Sequence, residues 1–354
     1  MATAAQRRIK SVSYAKYGYM FILPFFVVYF IFSFWPLIQT FILAFSENGT
    51  REPALIGIDN FKTILAKPAA NDFKAMGIHK SFWDGLKNTV IIWIGNFIPQ
   101  IALSLLLAVW FTDLRVKMPG KGFFKVVMYM PNIITAASVA GLFLSLFGDS
   151  TYSVINTLRG CAMTKEELLA AGLSQAPQPW KIITTCWPSR CLVMFIQVWM
   201  WFGNTMIMLM SGIQGINESL FEAAEIDGAN STQTFWRITF PLLKTIMVYT
   251  LLTSMIGGLQ MFDIPFMFHT GNIINQYLAT VAVFIYDKFH KNYMSPSYGY
   301  SAAASVILFV ITSILGALVF WVQRDKDAME LAKKRRQAVK EWKRKQKRGG
   351  GFSI

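Results

Sequence analysis

Residues 17–45 read "YGYMFILPFFVVYFIFSFWPLIQTFILAF", and not one of these 29 residues carries a charge. At about 1.5 Å of rise per residue, such a run outlasts the ~30 Å of hydrocarbon in a bilayer, which about 20 apolar residues already cross. Arg7, Arg8, Lys10 and Lys16 precede it, as they would in a secretory signal. The run is nevertheless far longer than a signal peptide's apolar region of roughly 7–15 residues, and no small-x-small cleavage site closes it. It reads as an uncleaved helix in which Pro24 and Pro36 are tolerated as kinks.

Five more apolar blocks follow, at roughly Leu86–Phe111, Phe123–Phe147, Leu192–Ile213, Leu242–Phe268 and Tyr300–Val322. Hydrocarbon offers no water to unpaired backbone groups, so each block must be helical. Composition agrees: 54% of the chain is hydrophobic and only 15% charged, against about 25% charged in soluble domains. The expected fold is all-α, a polytopic membrane protein of about six transmembrane helices. Residues 1–16 form an N-terminal tail, 17–323 the membrane domain and 324–354 a basic tail.

Net charge is +15, and twelve of the 34 Lys and Arg lie between Arg324 and Ile354. That tail reads as charge beside a membrane surface, not as a nucleic-acid contact. With six crossings both termini share one side, which then holds twenty-two basic residues against eleven on the other, Lys87 sitting at a boundary. The positive-inside bias places both termini in the cytoplasm. Segments near 46–85, 148–190 and 269–298 then lie outside.

Cys161, Cys186 and Cys191 form no CxxC, and His79, His269 and His290 form no HExxH, so neither a metal site nor a catalytic site is implied. Cys161 and Cys186 share one outer loop and remain open as a pair, free thiols being the simpler reading.

The link between the fourth and fifth blocks is unlike the rest. It reads "GINESLFEAAEIDGANSTQTFWRITFPLL", Gly215 to Leu243, with four acids against one Arg on a side otherwise rich in Lys and Arg. Glu218 to Ile226 suits a short helix. Gly228 stands where a left-handed C-terminal cap belongs. Asn230 or Ser231 can cap the next helix, and Gln233 lies three residues after Asn230, close to a capping box. Phe235, Ile238 and Leu242 then share a face, and Pro241 marks the junction with the fifth membrane helix. The expected product is a helix-turn-helix lying against the membrane. Its small residues allow close approach and its acids suit a basic partner.

This segment resembles the EAA loop of permease subunits in binding-protein-dependent ABC importers. The matching residues are Glu222-Ala223-Ala224, Asp227-Gly228-Ala229, Ile238 and Pro241. "LIGIDNFKTIL" (Leu55–Leu65), "FWDGLKNTVIIWI" (Phe82–Ile94), "MYMPNIITAASVAGLFLSLFG" (Met128–Gly148) and "GYSAAASVILFVI" near the end resemble the carbohydrate-uptake branch. The similarity covers about Tyr17 to Val322 and departs in the basic tail and around Arg159 to Trp187. The resemblance implies a coupling loop at 215–243 that docks on an ATP-hydrolysing subunit. Glu222 would meet a basic residue of that subunit, Gly228 would make the turn, and Ala223 and Ala224 would form the close-packing surface. It also implies two such ATPases, a second permease subunit in a heterodimer, an external solute-binding protein, and a bacterial cell membrane as the location. The chain has no G-x-x-x-x-G-K-[ST] phosphate loop, "GKGFF" from Gly120 being too short, so ATP and Mg belong to the partner chain and no cofactor is expected here.

Polar groups inside membrane helices usually face a cavity or the bundle interior. Asn96, Gln100, Gln197, Asn204, Gln260 and Asp263 are such groups, accompanied by Trp199, Trp201, Phe262 and Phe266. Of these, Asn204, Gln260, Phe262, Asp263 and Phe266 are the candidate solute pathway. Aromatic faces with amides and carboxylates suit sugar rings and their hydroxyls. The expected function is import of a sugar or oligosaccharide. The alternatives are another small polar solute such as a glycerol phosphate ester, or secondary transport without an ATPase. No bond chemistry is expected on this chain.

Overall fold

The computed structural model describes residues 15–47, 54–113, 119–268, 275–290, 297–322 and 334–340. The expected N-terminal tail and most of the basic tail lie outside the described residues, as do Arg115, Lys117 and His269. Among the described residues every named element is helical, with one isolated antiparallel bridge between Ser46 and Leu55.

The first apolar block forms α1 (Ala15–Tyr29) and α2 (Trp35–Ala44), joined by a π-turn over Phe30–Phe34. Pro24 sits inside α1, and the π-turn ends two residues before Pro36. Proline lacks an N–H and its ring crowds the carbonyl four residues back. The wider turn, closed by Trp35 N–H on Phe30 O, shifts the ladder where Pro36 would interrupt it. No residue in the most apolar window of this span is buried, so its aromatic surface is left for lipid or another subunit.

A short helix, α3 (Asp59–Leu65), leads to α4 (Phe73–Thr112). With 40 residues α4 is about 60 Å long, twice the hydrocarbon thickness, so only part of it can lie in the membrane. His79 lies on its first third and bonds the Ile64 carbonyl through Nδ1 at 2.9 Å.

The third block is not one straight span. α5 (Lys121–Tyr129) runs into a 3₁₀ turn at Met130–Ile133, and α6 (Ala136–Phe147) departs at 91°. Pro131 and the extended Ile134 end the first piece, and Thr135 caps the second by accepting from Ser138 N–H. Among the described residues, five helices are therefore long and apolar enough to cross a membrane, or six if this bent pair is one span.

Residues 148–185 carry α7 (Val154–Leu158) and α8 (Lys165–Ala170). Asn156 ties this region together. Its amide donates to the Gly148, Ser150 and Trp180 carbonyls, and its Oδ1 accepts from Trp180 N–H at 2.8 Å. Arg159 lies 4.2 Å above the Trp180 ring. Thr164 and Glu167 form a capping box on α8, and the Thr164 backbone N–H, donating at 2.8 Å, holds the Glu167 carboxyl below its usual range. Cys161, Cys186 and Cys191 are all free thiols.

Next come α9 (Cys186–Gln214), α10 (Glu218–Ile226) and α11 (Ser231–Thr234). They are followed by a second π-turn (Phe235–Thr239), α12 (Phe240–Leu242) and α13 (Lys244–Leu259). This π-turn also ends two residues before a proline, Pro241, with Phe240 N–H on Phe235 O. The extra residue shifts the buried face. Leu242 was expected to share a face with Phe235 and Ile238, yet it is exposed, while Thr239 and Leu243 are buried. α14 (Asp263–Met267), α15 (Val281–His290) and α16 (Tyr298–Val322) complete the chain, and residues 334–340 are helical and exposed.

Three apolar clusters hold these helices. The first joins α2, α3, α4, α13, α15 and α16 through residues such as Ile64, Phe82, Leu252, Phe284 and Ala303. The second joins α4, α6, α9 and α14 around Ile92, Val193, Ile196, Ile264 and Leu278. The third packs Ala108 and Phe111 of α4 on Met206 and Leu209 of α9 and on Leu243. At Gly203 a Cβ would overlap the Met128 carbonyl oxygen, so α9 and the end of α5 meet at backbone distance.

Candidate functional site: an intramembrane cavity and an exposed acidic turn

A cavity of about 410 Å³ opens among α4, α9 and α13, and its far wall is the break between α13 and α14. Its volume falls in the range of small-molecule sites, about 300–1,000 Å³. Helical spacing supplies the lining. Trp93, Asn96 and Gln100 recur along one face of α4, and Gln197, Trp201 and Asn204 along one face of α9. The break contributes Gln260, Phe262 and Asp263. There the ladder of α13 stops at Leu259, and Gln260 and Met261 close the last turn on Ile256 and Gly258 carbonyls.

Four of the five expected pathway residues line this cavity: Asn204, Gln260, Phe262 and Asp263. Phe266 does not. It stacks on Phe262, ring centroids 4.8 Å apart and planes 19° from parallel, and so backs the wall. Trp199 is likewise outside, edge-on to Phe143 in the second apolar cluster. Gln100 reaches the cavity but is tied across helices, its Nε2 donating to Thr205 Oγ1 at 2.8 Å. Trp93, Tyr249, Thr253 and Ser254 also line the wall and were not anticipated. Trp93 Nε1 donates to Ser254 Oγ at 3.2 Å, which pins the indole face. The signal that could have found Trp93 was its spacing from Asn96 and Gln100. Among the described lining residues Asp263 is the only charged one, and there is no Lys, Arg or His.

The second candidate site is the turn between α10 and α11. Asn217 caps α10, and the helix ends in a Schellman arrangement: Gly228 N–H bonds Glu225 O at 3.0 Å, and Ala229 N–H bonds Ala224 O at 2.9 Å. Gly228 has φ +74°. Asn230 and Gln233 cap α11 reciprocally, at 2.8 and 2.9 Å. Glu222, Ala223, Asp227 and Gly228 are exposed along one edge, Ala229 and Ile238 are half-buried, and Pro241 is exposed. Ala224 is turned inward and only 8% exposed, so it adds little to the outer surface. Ile226 was missed. It is 86% exposed beside Glu222 and Asp227, a large apolar side chain standing free on an acidic edge.

Long apolar helices around a polar, aromatic-lined cavity define a multi-pass membrane protein of transporter type. The chain belongs to the family of binding-protein-dependent transport system inner membrane components, whose model matches residues 75–327. Among similar proteins is the lactose transport system permease protein LacF of Rhizobium radiobacter, 27% identical over 92% of this chain and 100% of that one. The arabinooligosaccharides transport system permease protein AraP of Bacillus subtilis is 28% identical over 90% of this chain and 92% of its own length. The sn-glycerol-3-phosphate transport system permease protein UgpA of Agrobacterium fabrum is 28% identical over 85% and 92%. A chain in the crystal structure of a bacterial ABC transporter involved in the import of the acidic polysaccharide alginate shares the fold. It superposes with a TM-score of 0.69 at 21% identity, covering 89% of this chain and 98% of that one.

Proposed function

We propose that this chain is one of two membrane subunits of an ATP-driven importer and that its solute is a neutral sugar or oligosaccharide. The observation that carries the choice of solute is the lining of the 410 Å³ cavity: amides, hydroxyls and aromatic faces, with Asp263 as the one charge among the described lining residues. Aromatic faces suit the apolar faces of sugar rings, and amides and a carboxylate suit their hydroxyls. A phosphate ester would bring a dianion beside Asp263 with no cation among the described lining residues to meet it, which is unfavourable in a region of low dielectric. The names of relatives that carry lactose and arabino-oligosaccharides agree with this reading.

The work comes from outside the chain. Two ATPase subunits, holding ATP and Mg, dock on the turn around Glu222 and Ile226 in the cytoplasm, where both termini also lie. Their closure tilts the helices between inward-open and outward-open states. A solute-binding protein delivers its cargo to the outer segments near 46–85, 148–190 and 269–298, and a second permease subunit completes the pathway. Reconstitution of the whole importer with its binding protein in proteoliposomes tests the choice. ATP-dependent uptake of radiolabelled lactose, arabinobiose or maltose, lost in Gln260→Ala together with Asp263→Ala, is expected. Uptake of sn-glycerol 3-phosphate with no sugar uptake would overturn it.

A further inference from the structure

Buried polar side chains where α4 meets α9 are tied across the two helices. Arg190 donates to Asn88 Oδ1 at 2.5 Å, Gln100 to Thr205 Oγ1 at 2.8 Å, and Ser104 to the Phe202 carbonyl at 2.8 Å. Asn88 meets Arg190 near the start of both helices and Gln100 meets Thr205 further along both, so the two helices run parallel. Asn96 lies between these ties on α4, and Gln197 lies between them on α9. Just before them the helices touch: a Cβ on Gly95 would overlap Met194 Sδ at 2.5 Å. The two amides therefore stand at one level. They are 5% and 9% exposed, both line the first cavity, and among the described residues neither has a hydrogen-bond partner. A second cavity, of about 400 Å³ between α2, α15 and α16, is different, for its Thr40, Ser301 and Ser305 hydroxyls all donate to backbone carbonyls at 2.9 Å.

We infer that Asn96 is a specificity-determining residue of the pathway: its amide, with that of Gln197 at the same level, binds two neighbouring hydroxyls on one ring of the solute. The inference rests on the carbohydrate reading of the first cavity. Buried polar groups are nearly always hydrogen-bonded, and hydrocarbon supplies no partner. Two amides left open at the wall of a cavity are thus groups whose partner comes with the solute. Each offers both a donor and an acceptor, and so does each sugar hydroxyl. An amide donates to one hydroxyl oxygen and accepts from the next, and the second amide does the same from the facing helix. A carboxylate or phosphate would use the donors alone and leave both amide oxygens against negative charge. Trp93, one turn earlier on the same face of α4 and held by Ser254 at 3.2 Å, gives the ring an apolar wall beside the pair.

Two measurements on the complete importer test this. The first is thermal stability of the purified complex. Asn96→Leu, close in volume, removes a buried amide that holds nothing, so the unfolding midpoint should stay or rise. Gln100→Leu strands the Thr205 hydroxyl and should lower it. A fall in Asn96→Leu as large as in Gln100→Leu would make the amide a strut and overturn the assignment. The second is uptake into proteoliposomes of whichever of lactose, arabinobiose or maltose is carried, against its monodeoxy derivatives. For the unaltered importer, kcat/KM is expected to be about tenfold lower for two derivatives that lack neighbouring ring hydroxyls, one hydrogen bond being lost in each. In Asn96→Leu and in Gln197→Met that discrimination should fall to near one, while discrimination at other positions persists. Unchanged discrimination in Asn96→Leu, or an equal loss at every position, would overturn the assignment and leave sugar transport standing. Uptake of none of the three sugars by the unaltered importer would overturn the sugar reading, and this inference with it.

Discussion

Arg190 on α9 donates from Nη2 to Asn88 Oδ1 on α4 at 2.5 Å, across 102 residues of sequence. The pair holds a third segment. Asn88 Nδ2 donates to the Gln276 and Ala279 carbonyls at 2.8 and 2.9 Å, and Arg190 Nε donates to Tyr277 O at 3.2 Å. Thr89 accepts from Val281 N–H, and Thr280 donates to Met261 O at 2.7 Å. Leu278, between these anchors, is fully buried against Ile92, Val193 and Ile264. Segment 275–281 is thus latched over the end of the first cavity that Met261 and Ile264 line.

Arg190 is 8% exposed, and its bonds among the described residues go to neutral oxygens, with Trp187 beneath it at 5.7 Å. A hydrogen bond to a charged group contributes about 1.5–3 kcal/mol, and its loss strands the partner oxygens. Arg190→Ala is expected to lower hydrogen-exchange protection of 275–281 about tenfold to a hundredfold, measured by mass spectrometry on the purified complex. Arg190→Lys, with one compact ammonium in place of the fork, should fall between. Unchanged protection in Arg190→Ala would show that the segment holds itself.

The exposed acidic edge makes a different forecast. Glu222→Lys should place a cation against a basic partner surface, and Ile226→Asp should put a charge where an apolar side chain would be covered. Either change is expected to cost several kcal/mol of association when the contact is desolvated. Co-purification of the ATPase with the membrane subunits would fall at least tenfold, and uptake would follow. Full ATPase recovery with normal uptake in both variants would remove this edge from the docking surface.

Membrane character was legible because apolar length is a local property. Residues 17–45 need no partner to declare themselves. Direction changes were less so. The 91° corner at Pro131–Thr135 looked like the middle of one apolar block, since Pro within a membrane helix usually signals only a kink. Leu242 was placed one residue off because a π-turn before Pro241 adds a residue to the repeat. Asn204, Gln260 and Asp263 could be read from polarity in an apolar run, and the structure brings them to one cavity. Phe266 could not be separated from Phe262, because which of two rings faces a space depends on stacking. The Arg190–Asn88 latch left no local trace at all: its meaning lies in a contact across the chain.

Orientation follows from charge. Twenty-two basic residues on one side against eleven on the other predict both termini inside. In a background with Cys161, Cys186 and Cys191 replaced by Ala, Ser81→Cys should react with a membrane-impermeant maleimide added outside intact cells. Ser81 is exposed on the first third of α4. Ser13→Cys and Ser353→Cys should react only after permeabilisation. Labelling of either terminal cysteine in intact cells would invert the topology.

The most demanding test falls on Gly228. Its φ of +74° lies in the left-handed region, and an added Cβ would meet nothing within 4 Å. Any penalty for a side chain is therefore in the backbone and not from a clash. A β-branched residue should cost about 1–2 kcal/mol or more there, while Asn visits this region at less cost. The Schellman bonds from Gly228 and Ala229 to Glu225 and Ala224 depend on that conformation. When they open, Glu222 and Ile226 lose their fixed angle to α11. The membrane helices pack through α4, α9 and α16 and do not use the turn. Gly228→Val is thus expected in the membrane at near-normal abundance, with ATPase co-purification and uptake both reduced about tenfold. Gly228→Asn should keep most of both. If Val and Asn behave alike, whether both are normal or both are lost, the left-handed turn is not what shapes the proposed docking element.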